Sequence, residues 1–554
     1  MSSYKEKIKK ILAEVSGVKN PEVEFSANEQ FGDYSSNIVL KNKDLNIDEI
    51  VEKISKAWPN NNLVNKENSD FTAEKAGGFI NFWLKKDVLI DSLIREDVEV
   101  EDNGKTVVID YSSPNIAKPF GIGHLRSTVI GQAIYNLYKY LGYRVIGDNH
   151  LGDWGTQFGK LLYMIESTKT KDYSIENLEK LYVEFHTEAE KDIKLEEEAR
   201  IWFKKLEDGD TEARTIWKQC VNVSLNEFQK IYDLLGVKID NNFGESFYLE
   251  EMKDMLLDPK IAKHLEVGEN NSKIINIPNI KTPLMVLKSD GATTYATRDL
   301  ATLSFRQKKY KPDLIVYEVG AEQKLYFKQL FAAAKILKII NDDCELVHTA
   351  HGLYLDTDGK KFSTRKGKTI KLIDVLTEAI ERAKKLGNSD DTTARQVGIG
   401  AIKYFDLMHS VQSNVVFDWE KIMNMEGNSG PYLQYTVARC NSVLAKSTAN
   451  GLQTTADDGG LKTISLTDEE TSVLRKLSQF QEVIMTASKT YSPNVLCNYL
   501  YGLASKFNTF YNKHSILTNS KQITTDFRLI LTSVVGKTLK TGLNLLGIPA
   551  PEKM

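Results

Sequence analysis

Three stretches of this sequence hold residues whose types and spacing could do chemistry. Residues 112–128 read "SSPNIAKPFGIGHLRST". Pro114 and Pro119 remove backbone donors, while Gly121 and Gly123 permit close approaches that a Cβ would block. His124 stands where a helical pattern begins, so its ring and the helix-terminal N–H groups could together hold a phosphate, with Lys118 as a mobile positive charge. The second stretch, "DGKKFSTRKGKTIK" (358–371), crowds Lys360, Lys361, Arg365, Lys366, Lys368 and Lys371 into one loop. The third, "TTYATRDLAT" (293–302), sets Tyr295 four residues before Asp299, on one face if the segment is helical. Plainer readings stand beside each: a loop that only turns the chain, a solvated charge run, and a surface acid paired with Arg298 or Arg306.

The surrounding pattern says what must position these groups. "TVVIDYSS" from 106 reads as a buried strand, Leu125 to Leu141 as a helix that Gly142 stops, and "YRVIGD" as a second strand. "DLIVYEVG" (313–320), "KLYFKQLFAAAKILKII" and "ELVHTAHGLYL" repeat that order, which predicts a doubly wound, Rossmann-type parallel sheet. His124 then lies between the carboxyl end of a strand and the amino end of a helix, where such sheets bind ligands. Residues about 165–270 are charged and helix-patterned and read as an insertion. Residues 1–100 mix helical patterns with the alternating "GGFINFWL" (77–84), predicting a small α+β domain, and 426–554 read as an all-α bundle with helices near 468–490, 494–513 and 524–546. The sheet domain is expected over 101–425.

At 554 residues the chain is too long for one core. A net charge of −3 gives no global attraction to nucleic acid, so any anionic partner must be held by local patches. The four cysteines lack CxxC spacing, which argues for buried free thiols rather than a metal site. No apolar run is long enough to span a membrane, and the opening "MSSYKEKIKK" lacks a signal-peptide core, so a cytoplasmic protein is expected.

The loop ending in His124 and the basic loop after 358, in that order, resemble the HIGH and KMSKS signatures of class I aminoacyl-tRNA synthetases. Six segments in order extend the likeness to the arginyl-tRNA synthetases: "FGDYSSN" (31–37), the 112–128 loop, "NHLGDWGTQFGKLL" (149–162), "TTYATRDLAT", "GPYLQYTVAR" (430–439) and "GLNLLGIPAPEKM" (542–554). The resemblance implies ATP with Mg²⁺, L-arginine and tRNA(Arg) as substrates; no protein-bound structural metal is expected, and the chain is expected to be a monomer. It implies that Tyr295 and Asp299 hold the guanidinium with Gln323 lining the pocket, while Asp110, Ser112, Asn115 and His124 face the other end of arginine. Gly121, Gly123, Gly320, Lys360 and Ser363 would meet ATP, with Lys118, His124, Lys361 and Arg365 carrying the catalytic charge. Trp154 is expected in the pocket wall. Tyr435 and Met554 are the expected tRNA contacts, the bundle reading the anticodon and the N-terminal domain the elbow.

Two departures stand out. Gly121 replaces the first histidine of HIGH, and Thr364 replaces the second lysine of KMSKS; in the family the latter loss accompanies a lysine at the position of Lys118. Which of Lys360 and Lys361 is the motif lysine is left open by one residue. A catalytically silent relative that binds tRNA, or an enzyme for another amino acid, are the competing readings, and the Tyr295/Asp299 pair argues against both.

Overall fold

The alternation in "GGFINFWL" turns Ile80, Phe82 and Leu84 into one buried face of strand Phe79–Leu84. In the computed structural model, which describes residues 4–26, 28–57, 70–94, 102–356, 358–360, 370–387, 389–450, 458–518 and 521–554, this strand lies inside a four-stranded antiparallel sheet. Ile8 and Leu12 of helix Tyr4–Ser16 are buried in the same core, as are Ile50 and Ile54 of helix Ile47–Ala57. The domain docks on the C-terminal helices through Glu482, which accepts from the Lys5 backbone N–H (3.0 Å) and the Tyr34 hydroxyl (3.2 Å).

The central sheet is parallel, in the order Glu345–His348, Leu314–Tyr317, Thr106–Asp110, Arg144–Asp148. The two halves of the winding meet where Leu314–Tyr317 pairs with Thr106–Asp110, with Asp110 opposite both Tyr317 and Asp148. The loops leaving these two strands diverge there, which makes this switch point the place for a ligand. Helix Gly123–Tyr140 is the first crossover and ends before Gly142, whose φ of +78° a glycine adopts freely. Helix Lys324–Ile336 is the second.

The insertion is helical as expected through Thr156–Thr168, Ile175–Ala189, Lys194–Asp208 and Thr211–Leu235. Its end was not anticipated: a three-stranded antiparallel sheet, Glu266–Val267, Lys273–Ile275 and Leu284–Leu287, built from strands too short for periodicity to register. The expected helix over 468–490 is two helices, Asp468–Ser478 and Phe480–Lys489, joined at Gln479. Helices Pro493–Lys513 and Gln522–Leu545 complete the bundle with Gly430–Ala449. All four cysteines are buried and unpaired.

One lysine ties three of these parts together. Lys403, on helix Asp391–Leu407, is fully buried and donates to the Leu235 carbonyl (2.6 Å) and to the Gly547 carbonyl (2.5 Å). The first acceptor is the negative end of helix Thr211–Leu235, and the second begins the C-terminal tail. Burial pushes its amine down to about 7. The unfolded chain therefore binds the proton that the folded chain has lost between roughly pH 7 and 10, so Lys403 makes stability rise with pH over that window. Lys403→Met should flatten the dependence of the melting temperature on pH between those limits; equal slopes in the two proteins would contradict the burial argument.

Candidate active site

Helix Tyr295–Tyr310 carries the residues with the most chemical purpose. Its amino end is fixed by a capping box between Thr294 and Thr297, and both hydroxyls also bond carbonyls of strand Leu284–Leu287: Thr294 to Met285 (2.8 Å) and Thr297 to Val286. The unanticipated sheet is thus the anchor of this helix. Tyr295 stands 60% exposed on its first turn, its ring 4.8 Å from that of Tyr326 on helix Lys324–Ile336. One turn on, Asp299 accepts from the Tyr326 hydroxyl through Oδ2, and its Oδ1 lies 3.5 Å from His150 Nε2. Burial raises its carboxyl above the ordinary range, against the pull of His150.

The arginines that share the helix of Asp299 are engaged elsewhere. Arg298 pairs with Glu245 at 2.7 Å. Arg306, two turns beyond Asp299, is fully buried and donates to Asp148 Oδ2 from Nε (3.0 Å) and from its terminal nitrogen (2.7 Å), and from the latter to Asp110 Oδ2 (2.6 Å). Asp110, expected to meet the α-amino end of arginine, therefore has a cation of its own chain first, and its Oδ1 accepts from Ser113 (3.1 Å).

The 112–128 loop is backbone-strained: Ser112, Ser113 and Ala117 have φ of +74°, +46° and +60°. Helix Thr211–Leu235 of the insertion holds it in place through Ser224, Phe228 and Tyr232, spaced four apart on one face. Ser224 Oγ accepts the Ala117 N–H (2.9 Å), the Phe228 ring packs on Phe120 at 5.5 Å, and the Tyr232 hydroxyl bonds Ser112 Oγ (2.8 Å) and Asn149 Nδ2 (3.1 Å). The Ser112 hydroxyl also meets Thr128 (2.9 Å) in the buried interior, so it helps to hold the loop in place. Asn115 is exposed and bridges to Gly152, where a Cβ would stand 2.3 Å from its Oδ1.

On the phosphate side, His124 is half-buried with its ring 5.1 Å from that of Phe120, and its Nδ1 has no partner among the described residues. Burial pushes the ring below its usual range, leaving a neutral imidazole near neutral pH. Lys118 Nζ lies 5.1 Å over the ring of Tyr182, another residue of the insertion. Gly123 is exposed with open space where a side chain would stand; Gly121 is buried and forms an antiparallel bridge with Lys371. Around that bridge the Ile122 N–H donates to the Ile370 carbonyl (3.0 Å) and the Leu372 N–H to the Phe120 carbonyl (2.8 Å). The first motif is thereby joined by backbone to the exit of the basic loop, and Lys371 pairs with Glu176 of the insertion. Lys360 is exposed at the entry. Lys361, Ser363 and Arg365 lie outside the described residues.

Gly320 and Gln323 flank the turn Ala321–Gln323 between strand Leu314–Tyr317 and the Tyr326 helix, with Gln323 exposed. The Ala321 N–H donates to the His351 carbonyl (2.9 Å), and His351 in turn pairs with the buried Glu318 at 2.8 Å. Trp154, expected in the pocket wall, packs instead between Phe203 and Trp217 of the insertion. His150, Tyr326, Glu245 and the Ser224/Tyr232 pair were missed in the sequence; His150 stood within a quoted segment, but nothing local marks it as a partner of Asp299.

A second surface lies in the bundle. Arg439 is stacked between the rings of Tyr435 (4.9 Å) and Tyr511 (4.8 Å), both exposed, and donates to Asn508 Oδ1 (2.5 Å). Tyr499 is buried, and Met554 is exposed at the chain end.

Residues 2–84 match the family described as Arginyl tRNA synthetase N terminal domain, 87–419 that described as tRNA synthetases class I (R), catalytic domain, and 433–554 the DALR anticodon binding domain. The chain is 38% identical over 590 residues to a protein of Halothermothrix orenii named Arginine--tRNA ligase, covering all of both chains. It is 41% identical over 501 residues to one of that name from Exiguobacterium sibiricum, covering 87% of each. The crystal structure of arginyl-tRNA synthetase from Plasmodium falciparum superposes with a TM-score of 0.84 at 27% identity over the whole of both chains. The Thermus thermophilus arginyl-tRNA synthetase has the same fold at a TM-score of 0.84 and 22% identity.

The geometry sets one expectation for stability. Arg306→Ala would leave Asp110 and Asp148 buried without their cation, a loss of about 3–5 kcal/mol. Thermal unfolding of the variant should show a clearly lowered transition for the sheet domain; a melting temperature within a degree of the parent would refute the triad's role.

Proposed function

The chain belongs to the arginyl-tRNA synthetases of class I, and we propose that its two half-sites divide that family's reaction between Asp299 and the loop ending in His124. The enzyme activates L-arginine with ATP to arginyl-adenylate, releasing pyrophosphate, and transfers the arginyl group to the 3′ end of tRNA(Arg), releasing AMP. The observation that carries the site assignment is the state of Asp299: a half-buried carboxylate held by Tyr326 and His150, which pairs with no arginine or lysine among the described residues although Arg298 and Arg306 share its helix. A guanidinium entering beside the exposed Tyr295 ring would supply that charge, with Gln323 at the rim.

The reaction needs no nucleophile from the protein, because the arginine carboxylate attacks the α-phosphate directly. Catalysis is positioning and charge stabilisation. Asn115 and the Asp110/Ser113 pair would meet the α-amino end. Neutral His124 would donate to phosphate oxygens at the start of helix Gly123–Tyr140, beside Gly123 and Gly320, where backbone can approach closely. Lys118, held over Tyr182, would reach the phosphates, with Lys360, Lys361, Ser363 and Arg365 contributed by the basic loop. Gly121 takes a backbone role, since its bridge to Lys371 sets that loop's exit against the first motif; the silent-relative reading, which rested on Gly121 alone, loses its support. Among the described residues no cluster of three or more acidic, histidine or cysteine side chains could hold a metal. Mg²⁺ suits such a site as a companion of ATP, bound chiefly by phosphates and water, where it would neutralise the triphosphate.

The stacked Tyr435–Arg439–Tyr511 group offers two aromatic faces and a cation to an anticodon nucleotide, with Met554 exposed at the chain end. Support for a division into 1–100, 101–425 and 426–554 comes from the antiparallel sheet, the parallel sheet and the bundle in turn. No described helix is long and apolar enough to cross a membrane. We read the enzyme as a cytoplasmic monomer, since one chain holds both half-sites and the stacking surface.

Esterification of labelled arginine onto tRNA by the purified protein tests the assignment. Asp299→Ala should lower kcat/KM for arginine by more than about 2 kcal/mol of transition-state binding, a factor of about 30; a near-normal rate at low arginine would refute it. Lys118→Ala should depress adenylate formation far more than it weakens arginine binding, and an equal loss in both would move Lys118 out of the phosphate site.

A further inference from the structure

Asp299 lies between two helices that share an anchor in the same small sheet. Thr294 and Thr297 tie the start of helix Tyr295–Tyr310 to Met285 and Val286, and Gln329 of helix Lys324–Ile336 donates to the Thr282 carbonyl (2.7 Å), just before that strand begins. At the crevice the two helices are joined a second time, by Tyr326. Its hydroxyl donates to Asp299 Oδ2, and its ring stands edge-on to that of Tyr295, with 4.8 Å between centroids and 63° between planes. Gln323 is exposed on the turn that leads into the same helix. Tyr326 therefore touches two of the three residues assigned to the guanidinium and stands one turn from the third.

The bond to Asp299 can run only one way. Burial, with the charge of Asp299 beside it, holds the Tyr326 hydroxyl well above its ordinary range, so it keeps its proton and donates. An ionised carboxylate only accepts. Such a bond does for Asp299 what its own side chain cannot. The last torsion of an aspartate is broad and soft, free to swing the carboxylate plane, whereas a guanidinium gripped by two parallel bonds needs that plane fixed. His150 Nε2 stands 3.5 Å from Oδ1, too long for a firm hydrogen bond, so it cannot set the plane. A carboxylate offers about four lone-pair sites. With one of those on Oδ2 given to Tyr326, each oxygen still has a site for the guanidinium, in a plane that the hydroxyl sets.

Resting on the assignment of Asp299 to the guanidinium, we propose that Tyr326 is a positioning residue of the arginine site, whose hydroxyl locks the carboxylate plane of Asp299 and so presents both oxygens for a two-bonded grip. No bond in the substrate forms or breaks at Tyr326. The hydroxyl acts through Asp299, while the ring serves as backing for the exposed Tyr295.

Steady-state esterification of tRNA by the full-length protein tests this, with Tyr326→Phe and Asp299→Ala made separately and together. Tyr326→Phe keeps the ring against Tyr295 and removes only the O–H. It should raise KM for arginine about tenfold, as loss of one hydrogen bond to a charged group implies, and leave KM for ATP within about twofold. Both constants are independent of how much of the enzyme is folded, so a variant that melts early is still read. In the Asp299→Ala background the same change should alter kcat/KM for arginine by less than about twofold, because the carboxylate through which it acts is gone. An unchanged KM for arginine in Tyr326→Phe, an equal rise in KM for ATP, or a loss of the same size in both backgrounds overturns the proposal; the last would mean that Tyr326 only struts the two helices. The premise is read in the same set. If Asp299→Ala alone keeps a near-normal rate at low arginine, the guanidinium assignment fails and the proposal with it. If Asp299→Ala is impaired and Tyr326→Phe is not, the assignment stands and only the proposal falls.

Discussion

Arg306 is the interaction on which the rest of the site depends. It sits on the helix that carries Asp299, yet its guanidinium is spent on Asp148 and Asp110, at the carboxyl ends of two adjacent parallel strands, the second of which borders the point where the winding changes direction. Its face rests 5.3 Å over the Tyr317 ring, on the neighbouring strand. A parallel sheet leaves its carboxyl-end loops free to diverge, which makes the ligand space, but nothing in the sheet itself ties a crossover helix to that end. A buried two-acid clamp does so, and it fixes the rotation of helix Tyr295–Tyr310 about its axis. Asp299, seven residues earlier and so on nearly the same face, is aimed by that clamp.

The same logic explains the insertion. A loop with three non-glycine residues at positive φ would relax if left alone, since each such residue is held against its preference. Helix Thr211–Leu235 removes the alternatives. Ser224 takes up the Ala117 amide, Tyr232 the Ser112 hydroxyl and Phe228 the Phe120 ring, and Lys403 pins the helix end itself. The insertion is therefore a brace for the phosphate loop. Through Tyr182 and Glu176 it also touches Lys118 and Lys371, so both basic elements refer to one support.

How much of this was legible beforehand follows from what sequence patterns encode. The crossover helices and the bundle were readable because each buries a face at a fixed period over ten residues or more, and the parallel sheet because its short strands are unbroken apolar runs set between those helices. The residues on the motif loops were readable by resemblance, since Asp299, Tyr295 and His124 lie in contiguous tags. The partners were not. His150 and Asp299 are 149 positions apart, Ser224 and Ala117 are 107 apart, and no local rule links them. Orientation was illegible for the same reason: Ser112 belongs to the loop tag, but its hydroxyl meets that of Tyr232, far along the chain. The short sheet that anchors Thr294 and Thr297 escaped because two- to four-residue strands carry no period.

A charge count shows why the arrangement selects a cation of this kind. Among the described residues, Asp110, Asp148, Asp153, Glu245 and Asp299 converge on the crevice against two permanent cations, Arg298 and Arg306. Burial raises four of those carboxyls, so the unliganded site holds its excess negative charge under protest and can shed part of it only by taking up protons. A lysine side chain could supply charge but not two parallel donors, and a neutral isostere such as citrulline could supply donors but not charge. The clamp on Arg306 and the pairing of Arg298 with Glu245 keep the chain's own guanidiniums from satisfying Asp299 internally. Selectivity for arginine thus begins with where the protein's own arginines are forbidden to go.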